Sequence, residues 1–186
     1  MSVIHYSLGR SMDKEHLIQH LKQCQAIQFG RFVLTSGAIS NYYIDIKKAS
    51  TNPTVLKVIA KALVPYTKGY DVLAGMELGA VPLVVATSLQ TNIPFVIVRK
   101  ESRGHGTGKQ IEGEEVQGKK VLIIEDVTTS GGSVLQTIHA LRLQQAIVDK
   151  VVSIVDRDAG ALEKIKSVNA TFEFLVSIHD ILQEKK

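Results

Sequence analysis

Two adjacent acids and a run of small hydroxylated residues form the segment with the clearest chemical potential. Four apolar residues, Val121 to Ile124, lead into Glu125 and Asp126, and a segment rich in Thr, Ser and Gly follows from 127 to 133. The apolar run predicts a buried strand of a parallel sheet, and open α/β folds bind ligands at the carboxyl ends of such strands. Burying two carboxylates there without a role would be energetically costly. They suit the hydroxyls of a sugar and, indirectly, a magnesium ion.

The segment after the acids has the composition of a phosphate-binding loop. Its hydroxyl groups can donate hydrogen bonds, its glycines let the backbone approach a ligand closely, and the helix expected to begin there presents free N–H groups. A single ligand fits both parts: a ribose 5-phosphate with its hydroxyls over the acids and its phosphate over the loop. The alternative is an ordinary strand-turn-helix connection. The candidate residues are Glu125, Asp126, Val127, Thr128, Thr129, Ser130, Gly131, Gly132 and Ser133.

This segment resembles the signature with which type I phosphoribosyltransferases bind phosphoribosyl pyrophosphate (PRPP). Three further stretches resemble the orotate branch of that family, and the similarity covers nearly the whole chain. The first, Phe29 to Asp45, is similar to the N-terminal hood that covers the base, with Thr35 where many members carry lysine. The resemblance implies that Tyr43 and Ile44 contact orotate. A plain β-hairpin with surface tyrosines is the alternative.

The second stretch, 99–106, resembles the mobile catalytic loop of the family. The resemblance implies that Arg99, Lys100, Arg103 and His105 bind PRPP, and that Lys100 and Arg103 are catalytic together with Asp126. Cationic groups suit a pyrophosphate leaving group whose charge grows in the transition state. The family usually has lysine at position 103, and arginine is a poor proton donor, so an acid role for this residue is in doubt. A solvated run of charges is the alternative.

The third stretch, Asp156-Arg157-Asp158, follows the next predicted strand. The resemblance implies that Arg157 binds the orotate carboxylate, for which an arginine fork is well shaped, and that Thr129 also contacts orotate. An acid-x-acid metal site or a surface cluster of salt bridges is the alternative. The turn at 77–82 resembles the family's turn on the pyrophosphate side, with which it shares a proline. It lacks a lysine that many bacterial members carry in that turn.

Two other patterns carry less weight. The segment from Gly104 to Gln110 looks superficially like a P-loop, but its spacing is one residue short and Gln110 stands where Ser or Thr should bind magnesium. His16 and His20 have the i,i+4 spacing of a zinc chelate. No third ligand is apparent nearby in the sequence, so a solvated helix face is the favoured interpretation.

The resemblance as a whole implies an enzyme of pyrimidine (UMP) biosynthesis that transfers the phosphoribosyl group of PRPP to orotate. It implies Mg²⁺ as cofactor, held mainly by PRPP with no metal site of the protein's own. It also implies a homodimer whose loop 99–118 reaches the neighbouring site. One rival hypothesis is a purine or uracil phosphoribosyltransferase. The other is a regulatory protein of the same fold that binds PRPP, and Arg103 in place of the usual lysine leaves this second hypothesis open.

The elements that must position these residues follow from the apolar periodicity. Strands that are apolar throughout, alternating with amphipathic helices, predict an α/β fold with a parallel sheet flanked by helices. We expect one domain over 1–186, with a small α+β hood at 1–50, a core at 51–186 and a long loop at 99–118. The predicted helices are Met12 to Gln25 with Ser11 as N-cap, one from Pro53 with Asn52 as N-cap, Ala80 to Leu89, Gly132 to Gln145, a short one from Ala161 and one at the C-terminus. The predicted strands are Phe32 to Leu34, Tyr42 to Ile46, Asp71 to Ala74, Pro94 to Val98, Val121 to Ile124, Val151 to Val155 and Phe172 to Val176.

Composition narrows the class of partner. The formal net charge is +4, but the basic residues are dispersed and aromatic residues make up 5% of the chain, so we expect no nucleic-acid partner. No apolar run approaches the ~20 residues of a membrane-spanning helix, so we expect no membrane partner. The single cysteine, Cys24, favours a reducing, cytoplasmic setting. We expect it to be a half-buried helix residue.

Overall fold

The computed structural model describes residues 5–33, 37, 39–100 and 110–183, with side chains from Lys14 onward. The helices are α1 (His5–Gln23), α2 (Ile46–Ser50), α3 (Pro53–Leu63), α4 (Val81–Thr91), α5 (Gly132–Leu143), α6 (Ala161–Ser167) and α7 (Ile178–Gln183), with a 3-10 turn at Val64–Thr67. The strands are β1 (Ile27–Val33), β2 (Ile39–Ile44), β3 (Val72–Met76), β4 (Phe95–Val98), β5 (Ile111–Gly113), β6 (Lys120–Thr128), β7 (Ile147–Asp156) and β8 (Thr171–Ser177). No helix in these ranges is long and apolar enough to cross a membrane.

A six-stranded sheet in the order β5-β4-β3-β6-β7-β8 forms the centre of the fold. Its strands pair in parallel except β5, which runs antiparallel to β4. The predicted α/β class with helices on both faces is therefore confirmed, and the sheet is mostly rather than wholly parallel. The correction comes from β5, which lies inside the segment 99–118 predicted as a loop. Its pairing begins where the amide of Arg99 donates to the carbonyl of Gln110 at 2.9 Å.

Apolar side chains fill both faces of the sheet. On β6, Leu122 and Ile124 belong to a cluster shared with α1, α3 and the hood, whereas Val121 and Ile123 belong to a second cluster with α5. All four are fully buried. Alternate residues of a strand point to opposite faces, so this continuous apolar run is the pattern expected of a strand that is covered twice.

Helix starts show where local signals succeeded and where they failed. The side chain of Asn52 accepts hydrogen bonds from the amides of Thr54 and Val55, which confirms the predicted N-cap of α3. The prediction of Ser11 as N-cap of α1 is wrong, because the helix already begins at His5. The five residues of α2 were not predicted, since they are too few to show a helical period; Asp45 caps this helix by accepting from the Lys47 amide.

The hood is an antiparallel pair, β1 and β2, packed beside α1 and α2. Its register aligns Ile27 with Ile44 and Phe29 with Tyr42, with an irregularity between Phe29 and Phe32. The first strand starts five residues before the predicted Phe32. The amide of Asp45 donates to the carbonyl of Ala26 at 2.8 Å and closes the base of the pair.

Candidate active site

The two acids lie within β6 and not, as predicted, after its end. The strand continues to Thr128 because β7 runs alongside it, with Glu125 opposite Ser153 and Thr128 opposite Asp156. Consecutive strand residues face opposite sides of the sheet, so the side chains of Glu125 and Asp126 start out toward different faces, although their carboxyl groups still contact each other. The pair therefore reaches two different surroundings at the carboxyl end of the sheet.

Glu125 is directed toward the start of α5. The side chain is 5% exposed, and Ser133 Oγ donates to Glu125 Oε2 at 3.5 Å while the Asp126 amide donates to Glu125 Oε1 at 3.3 Å. Burial raises the pKa of Glu125 well above its ordinary value, and the side-chain contact and negative charge of Asp126 raise it further. Desolvation disfavours the charged carboxylate, so this residue holds a proton more readily than a solvent-exposed glutamate.

Asp126 occupies the opposite face, against the turn between β3 and α4. A Cβ atom added to Gly79 would lie 2.5 Å from Asp126 Cγ, so only glycine leaves room for this carboxyl group. The charge of Asp126 also reaches Lys47 on α2. The pKa of Lys47 is raised, chiefly by its hydrogen bond to Asp45 against the opposing effect of burial, and further by the charges of Asp45 and Asp126. Lys47 Nζ lies 2.7 Å from Asp45 Oδ1.

The loop from 129 to 133 leads from β6 into the first turn of α5. Thr129 and Ser130 are exposed, and Gly131 adopts a φ of 77°, a left-handed conformation that favours glycine. No side chain caps α5, so its first amides lack the partner that a capping residue supplies. Such a helix terminus is well suited to an anion. Thr128 belongs to the strand instead, and it is 1% exposed.

A second set of polar groups surrounds the end of β4. The guanidinium of Arg99 lies 3.9 Å from a Glu77 carboxylate oxygen and 3.8 Å from one of Glu112. The amide of Lys100 donates to Glu77 Oε1 at 3.1 Å, and the Lys100 side chain is exposed. The two other predicted residues of this loop, Arg103 and His105, lie outside the described residues.

The hood meets the end of β7 through an arginine and an aromatic ring. The Arg157 guanidinium carbon lies 5.6 Å from the centroid of Tyr42, and the Arg157 amide donates to the carbonyl of Thr128 at 2.9 Å. Tyr43 is on the other face of β2, where its ring packs against Phe32 at a centroid distance of 5.6 Å. Thus Tyr42, which was not singled out from the sequence, is the tyrosine beside Arg157.

Two proposed metal-binding alternatives find little support among the described residues. Asp158 is exposed and pairs with His179 at 2.9 Å, whereas Asp156 is buried. His16 and His20 contact each other, with 3.1 Å between their Nε2 atoms. No group of three or more His, Cys, Asp or Glu side chains suited to a metal occurs within the described ranges.

Comparison with known proteins agrees with this geometry. Residues 49–181 match the phosphoribosyl transferase domain. The orotate phosphoribosyltransferase of Thermococcus kodakarensis is 47% identical over 180 residues, covering 95% of this chain and 97% of that protein. The Methanocaldococcus jannaschii enzyme of the same name is 47% identical, covering 91% of this chain and 98% of that protein. The chain belongs to the orotate phosphoribosyltransferase family.

Solved structures of that family share its fold. Orotate phosphoribosyltransferase from Aeropyrum pernix superposes with a TM-score of 0.82 at 29% identity, covering 91% of this chain and 97% of that one. The Mycobacterium tuberculosis orotate phosphoribosyltransferase in complex with PRPP superposes with a TM-score of 0.77 at 29% identity, covering 91% and 98%. The resemblance found in the sequence is therefore confirmed at the level of family and fold.

Within this member of the orotate phosphoribosyltransferase family, sequence reasoning missed three residues that lie at the site. Gly79 and Lys47 approach Asp126 from segments distant in the chain, and Tyr42 packs on Arg157. The alternation of β2 already indicated that Tyr42 and Tyr43 face opposite sides. It could not indicate which of the two faces the sheet.

Proposed function

We propose that this chain transfers the phosphoribosyl group of PRPP to orotate, giving orotidine 5′-monophosphate and pyrophosphate. The bond between the ribose anomeric carbon and the pyrophosphate oxygen breaks, a bond from orotate N1 forms at that carbon, and N1 loses its proton. The observation that carries the proposal is the end of β6, where two carboxyl groups precede a helix without a side-chain cap. This arrangement supplies polar groups for a sugar and donors for its phosphate.

The described residues support distinct roles. We propose that Glu125 and Asp126 hold the ribose hydroxyls, that Asp126 supports the developing positive charge of the ribosyl group, and that the segment 127–133 binds the 5-phosphate. Arg157 binds the orotate carboxylate, with Thr129, Tyr43 and Ile44 around the base. The loop residues Arg99, Lys100, Arg103 and His105 bind the pyrophosphate, and Lys100 and Arg103 stabilise its departing charge.

Magnesium fits the site as a companion of PRPP. Glu125 is buried with its oxygens already bonded, and the described residues offer no three-ligand cluster. Mg²⁺ commonly keeps several waters and is held by one or two carboxylates together with substrate phosphates. We propose that PRPP would hold the ion for the most part, with Asp126 as the protein carboxylate available to it. A magnesium ion held in this way would supply neutralisation of charge on the leaving group.

We also propose that the protein is a cytoplasmic homodimer. In this dimer the loop 99–118 of one subunit completes the active site of the other. Two large apolar side chains near α4 are largely exposed, Leu78 at 73% and Leu89 at 79%. Exposed apolar groups around one helix are consistent with a contact between copies.

A mixture of Arg103→Ala and Asp126→Asn chains tests the shared site. Random exchange should restore about a quarter of wild-type activity if the loop acts on the neighbour, because one site per mixed dimer is intact; no recovery after verified exchange contradicts it.

The direct test of the reaction is the near-ultraviolet absorbance of orotate with purified protein, PRPP and magnesium. A decay that requires PRPP and is reversed by adding pyrophosphate to the product supports the proposal. Asp126→Asn should lose turnover and bind PRPP more weakly, because this carboxylate is proposed to hold a ribose hydroxyl. An inactive wild-type protein that still binds PRPP would favour a regulatory protein, and turnover of a purine or uracil in place of orotate would favour the rival transferases.

We further propose that residues 1–50 and 51–186 fold as hood and core of one domain.

A further inference from the structure

Two histidines on α1 have no part in the proposed reaction. His16 and His20 are one turn apart on this helix, and their Nε2 atoms are 3.1 Å apart. The rings meet edge to face, with 4.4 Å between their centroids and 89° between their planes. His16 is exposed and His20 is half-buried, so solvent reaches the pair. Histidine is the commonest metal ligand in proteins, so two converging imidazole nitrogens are a candidate chelate.

The hydrophobic core holds this part of α1 in place. Leu17, Ile18 and Leu21 are at most 2% exposed and belong to the cluster that covers one face of the central sheet. Residues four positions apart are neighbours on a helix, whereas in an extended chain they can be about 13 Å apart. The folded helix therefore creates the histidine pair, and its buried side chains keep the helix from fraying there.

The separation of the two nitrogens matches the geometry of a bound metal ion. Zinc–nitrogen bonds are about 2.0–2.1 Å long. Two such bonds to nitrogens 3.1 Å apart enclose an angle of about 98° at the metal. This angle lies between the roughly 90° of square-planar or octahedral coordination and the roughly 109° of tetrahedral coordination. Small rotations of the two rings are therefore enough to bind an ion.

The metal-free pair is held by a hydrogen bond in which one ring donates its Nε2 hydrogen to the other. A neutral imidazole carries its proton on either nitrogen. When both rings carry it on Nδ1, both Nε2 lone pairs are free for a metal, and no proton is gained or lost. Cys24, one turn further along, is directed elsewhere, because its Sγ donates to the carbonyl of Leu21 at 3.4 Å.

We propose that His16 and His20 form an open, two-ligand site for a divalent transition metal, namely Cu²⁺, Ni²⁺ or Zn²⁺. A closed zinc site takes four protein ligands, and the described residues contain no group of three, so water completes the coordination here. Imidazole nitrogen suits these ions, whereas Mg²⁺ prefers oxygen ligands. The site shares no residue with the proposed active site, and the inference does not depend on the proposed function.

The test is a calorimetric titration of the full-length protein with Cu²⁺, the ion that nitrogen sites bind most tightly in this series. We expect one Cu²⁺ per chain, with hyperfine structure from two imidazole nitrogens in its electron paramagnetic resonance spectrum. His16→Gln and His20→Gln should each weaken binding at least about 10-fold, because each removes one of two ligands. An excess of Mg²⁺ should not displace the bound Cu²⁺.

His139→Gln is the matched control. His139 is an exposed histidine on α5, and none of the residues three or four positions from it is His, Cys, Asp or Glu. This variant should bind Cu²⁺ as the wild type does. A wild type that binds no Cu²⁺ overturns the inference, and so do His16→Gln and His20→Gln variants that bind it as tightly as the wild type.

Thermal unfolding is a second measurement, and it also shows whether each variant folds. Ni²⁺ replaces Cu²⁺ here, because copper can oxidise the free thiol of Cys24. A ligand that binds only the folded chain raises Tm, by roughly 5–10 °C for a chain of this length at about 100 times Kd. We expect this rise in the wild type and His139→Gln, and its loss in His16→Gln and His20→Gln. An equal rise in all four proteins means that the metal binds elsewhere and overturns the inference.

Discussion

Gly79→Ala should disable the site by displacing one carboxyl group. The added Cβ would lie 2.5 Å from Asp126 Cγ and 3.0 Å from Asp126 Oδ1. Carbon atoms that are not bonded prefer a separation of about 3.5 Å or more. The carboxyl group must therefore retreat by about 1 Å. Gly79 itself has little freedom to move, since the next residue, Ala80, is fully buried and starts the packing of α4.

The size of the effect follows from that displacement. A misplacement of about 1 Å in a reacting site can lower the rate about 100-fold. We therefore expect kcat to fall about 100-fold, with a small change in the KM for orotate, because the base contacts other residues. Crowding should also lower the free energy of unfolding by about 1–3 kcal/mol, and less if the Asp126 side chain rotates away.

The measurement is the initial rate of PRPP-dependent orotate consumption, together with thermal unfolding. Gly75→Ala is the matched control, because its Cβ would lie 2.8 Å from the Cβ of Ala80 and 2.9 Å from Cγ1 of Val84. It crowds the core without touching Asp126, so it should lose stability and retain kcat at temperatures where it is folded. A Gly79→Ala enzyme with wild-type kcat would refute the reasoning, as would equal losses of kcat in both variants.

Three further changes test stability. The pKa of Glu125 is raised in the folded protein, so the free energy of unfolding of the wild type should fall as pH rises from the ordinary glutamate pKa of 4.5 through the raised pKa. In urea titrations Glu125→Gln should therefore be more stable than the wild type at neutral pH. This difference should disappear below pH 4.5, where the wild-type side chain is protonated in both states. Asn52→Ala removes the acceptor for two amides of α3 and should cost about 1 kcal/mol in urea unfolding. Burial raises the pKa of Asp180, but the Ser177 amide and Lys14 outweigh it, so the pKa is lowered overall. Asp180→Asn should therefore have a lower free energy of unfolding than the wild type above the ordinary aspartate pKa of 3.8. The difference should be lost at lower pH, as acid protonates the wild-type carboxyl group.

The sequence predicted the central strand and its acids because both signals are local. Four apolar residues followed by two acids are visible without any knowledge of the fold. The true end of β6 at Thr128 was not visible, because it depends on pairing with β7. In the same way β5 has three residues, one of them Gly113, and no local pattern identifies it as a strand. Its existence follows from its pairing with β4.

The missed site residues were hidden for a related reason. A period of two indicates that Tyr42 and Tyr43 face opposite sides, but which of them faces the sheet depends on how the hood packs against the core, where Tyr42 meets Arg157. Gly79 is informative only once Asp126 is known to lie against it. Contacts between segments far apart in the chain are set by the tertiary fold, so no inspection of either segment alone can reveal them.

The unpaired polar atoms make a case for the site that is independent of any sequence motif. All four such atoms among the described residues belong to Arg99, Thr128, Asp156 and Arg157, at the carboxyl ends of β4, β6 and β7. Leaving one buried donor or acceptor unpaired costs about 1–3 kcal/mol, which is a large share of the stability of a domain. Their concentration at one edge of the sheet is a cost that the fold bears at the carboxyl ends of its strands, which is where open α/β folds bind ligands.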